Sequence, residues 1–378
     1  MCIRDSTDTV FAQAGRAQRF WFLNIAPAPF DGKGTAAEPW QIKTREDLKK
    51  FSDMSNNARM SFTGRYLVLT ADIDCQGDTL MPVCKDPSAK LVFEGNFNGQ
   101  GHQIDNFHIL AVGFFTEDNV SGTAVPGQVN PKDPNSYYFS GLFANVGKQG
   151  VISNLNIGPN ADIESFQHGG AIAGGCEGLI TNCRNYGRVR TYYSNAGGIV
   201  GNLKAGGIVR GCYNNGFIAT NGNTAGGVVG VATQATVENC ENTGTVKAYF
   251  FNPYQKEGNQ YGAGGVVGYS DRSTLRNLVN SGFASSYKQV GGIVSKISAT
   301  AALPAHTEAC VNYGLVESTV EQTSVGSIAG LNTLGTFAGC MADKQLQKVG
   351  TVSNGLCEGT QMLPTLSLAS AQGYPAQY

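Results

Sequence analysis

Ala225-Gly226-Gly227-Val228-Val229-Gly230 is the stretch whose reading decides the fold. It returns as Ala196-Gly197-Gly198-Ile199-Val200-Gly201 and as Ala263-Gly264-Gly265-Val266-Val267-Gly268. Looser copies are Gly169-Gly170-Ala171-Ile172-Ala173-Gly174, Val290-Gly291-Gly292-Ile293-Val294-Ser295 and Val325-Gly326-Ser327-Ile328-Ala329-Gly330, with Ser140-Gly141-Leu142-Phe143-Ala144 as the founding member. The first apolar residue of each copy falls at 142, 172, 199, 228, 266, 293 and 328. A recurrence of about thirty residues marks a repeat architecture. It also excludes a phosphate-cradling loop, which occurs once and opens a helix.

A second signature follows each glycine pair. Asn182-Cys183-Arg184-Asn185-Tyr186-Gly187 aligns with Gly211-Cys212-Tyr213-Asn214-Asn215-Gly216 and Asn239-Cys240-Glu241-Asn242-Thr243-Gly244. Asn277-Leu278-Val279-Asn280-Ser281-Gly282 and Ala309-Cys310-Val311-Asn312-Tyr313-Gly314 continue the series, and Gly339-Cys340-Met341-Ala342 is a degraded last copy. Each unit therefore holds three apolar pieces: Gly-Gly-Ile-Val, an apolar residue plus Cys, and Gly-x-Val. The pieces are too short for helices and suit solenoid strands. The expectation is an all-β protein: a right-handed parallel β-helix of three short strands per coil, with coils about 4.8 Å apart. The double glycine fits a place where the backbone turns or approaches its neighbour. The Ile-Val pair is expected to put one residue into the core.

Stacking predicts columns. Cys183, Cys212, Cys240, Cys310 and Cys340 form an inward ladder, with Leu278 in one slot. The leucine shows that the slot takes a small apolar filler, so the thiols are expected to be free. Asn185, Asn214, Asn242, Asn280 and Asn312 form an asparagine ladder, each amide bonding the next coil. The position two before the Cys reads Thr181, Arg210, Glu238, Arg276, Glu308, an outward column of alternating sign that controls register.

Composition sets outer limits. The 378 residues carry 50 glycines, 15% charged residues and a net charge of -1, so nothing points to nucleic acid. No apolar run reaches the ~18 residues of a membrane span. The ten cysteines are spread along the chain and recur at one place in the repeat, which favours packing over a disulfide framework. No cofactor and no metal site is expected. His102, His108, His168 and His306 lack the spacing of a zinc peptidase motif.

Along the chain, residues 1–29 read as a leader or processed segment, with an A-x-A pattern at Ala12 and Ala14. Residues 30–138 form an N-terminal cap and the first coils. Within them Thr44 and Asp47 make a capping box, and Leu48 with Phe51 gives the apolar face of one short helix. Asp72-Ile73-Asp74 is an acidic turn that could hold a cation, though its carboxylates are expected to bond nearby backbone N–H groups. Residues 139–345 hold the repeats, and 346–378 form a tail. Residues 116–137 are a loop excursion.

The residues resemble the GLUG-motif proteins, bacterial surface proteins of β-helix repeats. The likeness is carried by Gly141-Leu142-Phe143, the Gly-Gly-Ile-Val-Gly copies, Gly32-Lys33-Gly34-Thr35 with Pro39-Trp40-Gln41-Ile42, and Phe93-Glu94-Gly95-Asn96-Phe97-Asn98-Gly99-Gln100-Gly101-His102. The resemblance implies an exported protein, secreted or associated with the bacterial outer surface. It further implies an adhesin-like role without catalysis, or a non-catalytic stretch of a larger surface protein or immunoglobulin A-cleaving peptidase.

A carbohydrate-active β-helix enzyme is the third reading. It would need clustered carboxylates, and the acidic residues of the repeats, Glu164, Glu238 and Glu241 among them, look scattered. The binding reading rests on the longest insertion, residues 247–261, which carries Tyr249, Phe250, Tyr254 and Tyr261. Tyr192, Tyr193, Tyr213, Tyr287 and Tyr313 add rings. Flat aromatics among Asn and Gln can stack on sugars, so the expected partner is a glycan or a host surface protein. The bland alternative is that these rings pack the loop onto the coil. The sequence does not set the oligomeric state.

Overall fold

The computed structural model describes residues 10–14, 17–21, 28–86, 90–110, 138–249, 262–318, 324–343 and 360–363 of the chain. It is a parallel β-solenoid of about nine turns with a single short helix near the N-terminus. That helix, α1 (Arg45–Asn57), starts as its sequence demands. The Asp47 N–H donates to Thr44 Oγ1 at 3.1 Å and the Thr44 N–H donates to Asp47 Oδ2 at 3.1 Å. Leu48 and Phe51 are buried on its apolar face. Phe51 sits against Phe62, Phe97 and Phe143 with ring centroids 4.8, 5.8 and 6.0 Å away. The helix thus closes the apolar end of the stack, a task every solenoid must solve at its termini.

One coil runs through strands His168–Gly170, Ala173–Cys176, Leu179–Thr181, Arg184–Asn185 and Arg188–Thr191. The next repeats it, pairing Gly169 with Ala196, Ala173 with Val200, Ile180 with Val209, Asn185 with Asn214 and Val189 with Ile218, all parallel. Each coil therefore has five short strands and not the expected three. The corners are responsible. Asn154, Asn182, Asn239, Asn277 and Ala309 have φ between 50° and 54°, each just before the Leu or Cys of its coil. Gly211 and Gly339 fill the same position. A left-handed residue bends the chain and ends the ladder, and Asn and Gly tolerate it best.

The glycine pair plays a different part from a left-handed turn. Neither Gly197 nor Gly198 has positive φ. A Cβ on Gly197 would overlap the Val200 carbonyl, and one on Gly198 would overlap the Gly227 carbonyl and the Asn214 side chain. The pair bends the chain sharply between two strands and leaves room for the asparagine column. Both residues after it, Ile199 and Val200, are fully buried, as are Val228 and Val229. The expectation of one core residue per pair is corrected accordingly, because a corner points consecutive side chains inward where a straight strand alternates them.

The asparagine ladder is continuous. Asn185 donates through Nδ2 to Asn214 Oδ1 at 2.8 Å, Asn214 to Asn242 at 2.7 Å, Asn242 to Asn280 at 2.9 Å and Asn280 to Asn312 at 2.8 Å. The eight cysteines among the described residues are buried and free. Cys183, Cys212, Cys240 and Cys310 each donate to the carbonyl two residues before them at 3.2–3.4 Å.

Outside the stack, Val10–Ala14 and Ala17–Trp21 pair antiparallel within the segment read as a leader; at the far end of the stack, Thr360–Leu363 adds a parallel strand to Cys340–Asp343. Among the described residues no helix is long and apolar enough to cross a membrane.

Candidate functional site

The strands Asp162–Ser165, Arg188–Thr191, Phe217–Thr220, Thr245–Ala248 and Phe283–Ser286 lie side by side in successive coils. The residue after each strand turns the corner: Phe166, Tyr192, Asn221, Tyr249 and Tyr287. Backbone bonds hold these five in register. Tyr192 N–H donates to Ser165 O, Asn221 to Thr191 O, Tyr249 to Thr220 O and Tyr287 to Ala248 O, at 2.8–3.3 Å. Four of the five carry aromatic rings.

Phe166 stacks on Tyr192 at 6.0 Å and on Tyr193 at 5.6 Å, and meets Tyr138 edge-on at 5.7 Å. Phe166 and Tyr192 are buried, whereas Tyr138, Tyr193, Tyr249 and Tyr287 are half-buried. Behind the rings, Thr191 donates to Thr220 Oγ1 at 2.7 Å, Thr220 to Ser194 O at 2.7 Å and Thr224 to Asn195 Oδ1 at 2.9 Å. These bonds fix the corner backbone, so the rings stand on a rigid base.

A charged quartet adjoins the corner on the same strands. Asp162 and Glu164 face Arg188 and Arg190 of the next coil in register. Arg188 pairs with Asp162 at 2.6 Å, and Arg190 bridges Asp162 at 2.9 Å and Glu164 at 2.6 Å. Burial pushes the Glu164 carboxyl up to about 7; Arg190 opposes the shift and Asp162 adds to it. The sequence reading left Glu164 among scattered acids and passed over Asp162. The signal was present: Asp162-Ile163-Glu164 and Arg188-Val189-Arg190 occupy one offset in consecutive repeats.

The other features lie elsewhere. Tyr213 sits on a separate outer face, 5.9 Å from Tyr186 with the Arg184 guanidinium 5.6 Å from its ring. Tyr313 follows Asn312 on that same side of the coil. Glu238 lies between Arg210 at 2.5 Å and Arg276 at 2.7 Å, so the alternating column is real. Burial pushes the Glu238 carboxyl up, but the Arg276 and Arg210 guanidiniums outweigh it and hold the group below its ordinary range.

Asp72 and Asp74 accept from the Gln103 and Gln76 N–H groups at 2.9 and 2.8 Å, as expected of a turn. Clefts of about 210 and 380 Å³ flank α1 at the N-terminal cap, away from the aromatic corner. Among the described residues no three His, Cys, Asp or Glu side chains converge to hold a metal.

Of the residues the sequence singled out for binding, Tyr192, Tyr193 and Tyr249 lie along the one corner, Tyr249 two coils beyond Tyr192. Tyr192 packs into it, Tyr193 and Tyr249 are partly open, and Phe250, Tyr254 and Tyr261 lie outside the described residues. Tyr249 is the last described residue before residues 250–261, and the next described strand is Gly262–Gly264.

A family model described as the GLUG motif matches residues 221–247, a window that contains the glycine pair, Cys240, Asn242 and Gly244. Residues 221–247 thus carry a GLUG motif. Curated proteins give no match to this GLUG-motif chain. Among solved structures it is similar to a "putative immunoglobulin A1 protease" from Bacteroides ovatus, with a TM-score of 0.55 and 19% identity over 90% of this chain and 89% of that one. At that identity the likeness establishes the shared solenoid fold and nothing about activity.

Proposed function

We propose that this GLUG-motif chain is an exported bacterial surface solenoid that binds glycan at the aromatic corner and catalyses no reaction. The observation that carries the reading is the set of partly open rings Tyr193, Tyr249 and Tyr287 along one corner, standing on the buried Phe166, Tyr192 and Asn221. Aromatic faces offer a sugar a CH-stacking plane. Rigid scaffolds present such groups at low ordering cost. The extracellular placement draws on the GLUG match and on the fold shared with the protein named above.

The test is binding of the purified chain to a broad glycan array and to mucin. The doubly substituted Tyr193→Ala, Tyr249→Ala chain should lose most of the signal with its far-UV circular dichroism unchanged. A wild-type chain that binds no glycan on either surface sinks the reading, and capture by a deglycosylated host protein would replace it. The enzyme reading is favoured by one observation, the Glu164 carboxyl held near neutrality beside Asp162. Both groups are tied to arginines, and polysaccharide cleavage abolished by Glu164→Gln would establish it.

A further inference from the structure

We propose that the glycan bound at the aromatic corner is acidic: a sugar residue with a carboxylate on its ring stacks on Tyr249 or Tyr287, and the carboxylate meets the Lys247 ammonium. This rests on the glycan-binding reading above and names the class of ligand. The observation that carries it is the placement of Lys247. In the strand Thr245–Ala248 it is the outward residue two before Tyr249, with Ala248 buried between them. Its register partners in the adjacent coils are Ala219 and Ser285, both small and both buried. Neither offers it a counter-charge.

Four other half-buried cations of the repeats have a partner. Arg190 pairs with Asp162 and Glu164, Lys204 with Glu177 and Arg272 with Asp271, and the Lys296 ammonium lies 5.5 Å from the centroid of the Tyr269 ring. Among the described residues the Lys247 ammonium makes no such contact. A half-buried ammonium without a counter-ion has lost part of its hydration and gained no protein partner, so an anion brought to it is favoured. On the same outward column the carboxylates are Glu317, two coils on, and Glu164, three coils back and held by Arg190. Two coils are about 10 Å, beyond the ~8 Å screening length at physiological salt.

The spacing fits one sugar residue. Ala248 pairs with Ser286, and the Tyr287 N–H donates to Ala248 O at 3.3 Å, so Tyr249 and Tyr287 stand in consecutive coils, about 4.8 Å apart along the axis. Lys247 and Tyr249 are two residues apart on an extended strand, roughly 7 Å. A carboxylate fixed to a pyranose ring lies at the edge of that ring, so a sugar stacked on either tyrosine directs its charge sideways to a neighbour at this spacing. A sulfate ester sits on a longer and freer arm and is held less firmly. Lys288, directly after Tyr287, adds positive potential beside the rings.

The experiment titrates the full chain by calorimetry with tetragalacturonate and with sialyllactose, each alongside its carboxyl-reduced form. One of the acids should bind on the order of 10-fold tighter than its reduced form, and which one does so tells an internal uronate from a terminal sialic acid. The preference should shrink as sodium chloride rises from about 50 to about 500 mM. Lys247→Met should bring the acid and its reduced form to equal affinity, whereas Lys247→Arg should keep the preference. A preference that survives Lys247→Met overturns the role of Lys247. Equal binding of acid and reduced form by the wild type, a comparison that needs no variant, overturns the acidic assignment and leaves glycan binding intact. Tighter binding of dextran sulfate than of polygalacturonate overturns the carboxylate. Absence of any glycan ligand on the array removes the underlying reading and this inference with it.

Discussion

At the scale of single residues, the asparagine column is the most exposed to substitution. Asn242 is fully buried; it accepts from Asn214 at 2.7 Å and donates to Asn280 at 2.9 Å. It also accepts from the Gly244 N–H at 3.2 Å. Asn242→Leu keeps the volume and strands these three partners, at about 1–3 kcal/mol for each buried group left unpaired. Urea denaturation should show a loss of at least about 2 kcal/mol; a neutral result would mean that the ladder is not a source of stability.

Ala309 offers the opposite case. Its φ of 50° is the one that Asn or Gly takes in the other coils, so Ala309→Gly should stabilise by about 1 kcal/mol, read as a raised melting temperature.

Glu164 gives a pH signature. Its folded value of about 7 lies above the ordinary 4.5, so the folded chain holds this proton more tightly than the unfolded one. The stabilisation is complete below the unfolded value and is lost as pH rises through the folded value. Glu164→Gln should therefore gain on the wild type by about 1–3 kcal/mol between about pH 5 and pH 8. A pair of stability curves that stay parallel over that range would contradict the assigned protonation.

At the scale of elements, α1 is a plug built from local and distant parts. Its start is local, since Thr44 and Asp47 satisfy each other's backbone groups within four residues. Its purpose is distant, because Phe51 fills a space bounded by Phe62, Phe93, Phe97 and Phe143. Thr44→Ala should cost about 1 kcal/mol, and Phe51→Ala about 3–5 kcal/mol. Hydrogen exchange should place the damage of Phe51→Ala in the N-terminal coils, because nearest-neighbour coupling confines it there. Uniform loss of protection along the whole stack would show a single cooperative unit instead.

The corner strands show how far the repeat could be read from sequence. Aligning the repeats places Asn185 on Asn214 and Asp162 on Arg188 without any coordinates. It does not reveal that Phe166, Tyr192 and Tyr249 share a corner while Tyr213 lies on another face, because that depends on where each coil bends.

At the scale of the whole molecule, the buried thiols supply the test. Cys75, Cys84 and Cys176 are pushed up to about 12, chiefly by burial, and burial drives Cys212, Cys240 and Cys310 well above the ordinary thiol range. Thiols in this state are poor nucleophiles and are also shielded. Native protein treated with a maleimide should leave the eight buried cysteines Cys75, Cys84, Cys176, Cys183, Cys212, Cys240, Cys310 and Cys340 unlabelled, and these eight should react after denaturation. Peptide mapping that finds Cys212 or Cys240 labelled in the native state would show that the stack opens there.

The sequence by itself determined the solenoid, the asparagine and cysteine columns, the capping box and the alternating charges. Each is written as a recurring residue type at a fixed offset, and stacking turns equal offsets into neighbours. Only the tertiary structure decided the five-strand coil, the burial of both residues after the glycine pair, the burial of Glu164 beside Arg190, and the alignment of Tyr192, Tyr193 and Tyr249 along one corner. The physical reason is that a repeat fixes which residues share a column, whereas left-handed corners and close backbone contacts fix the direction in which each column faces.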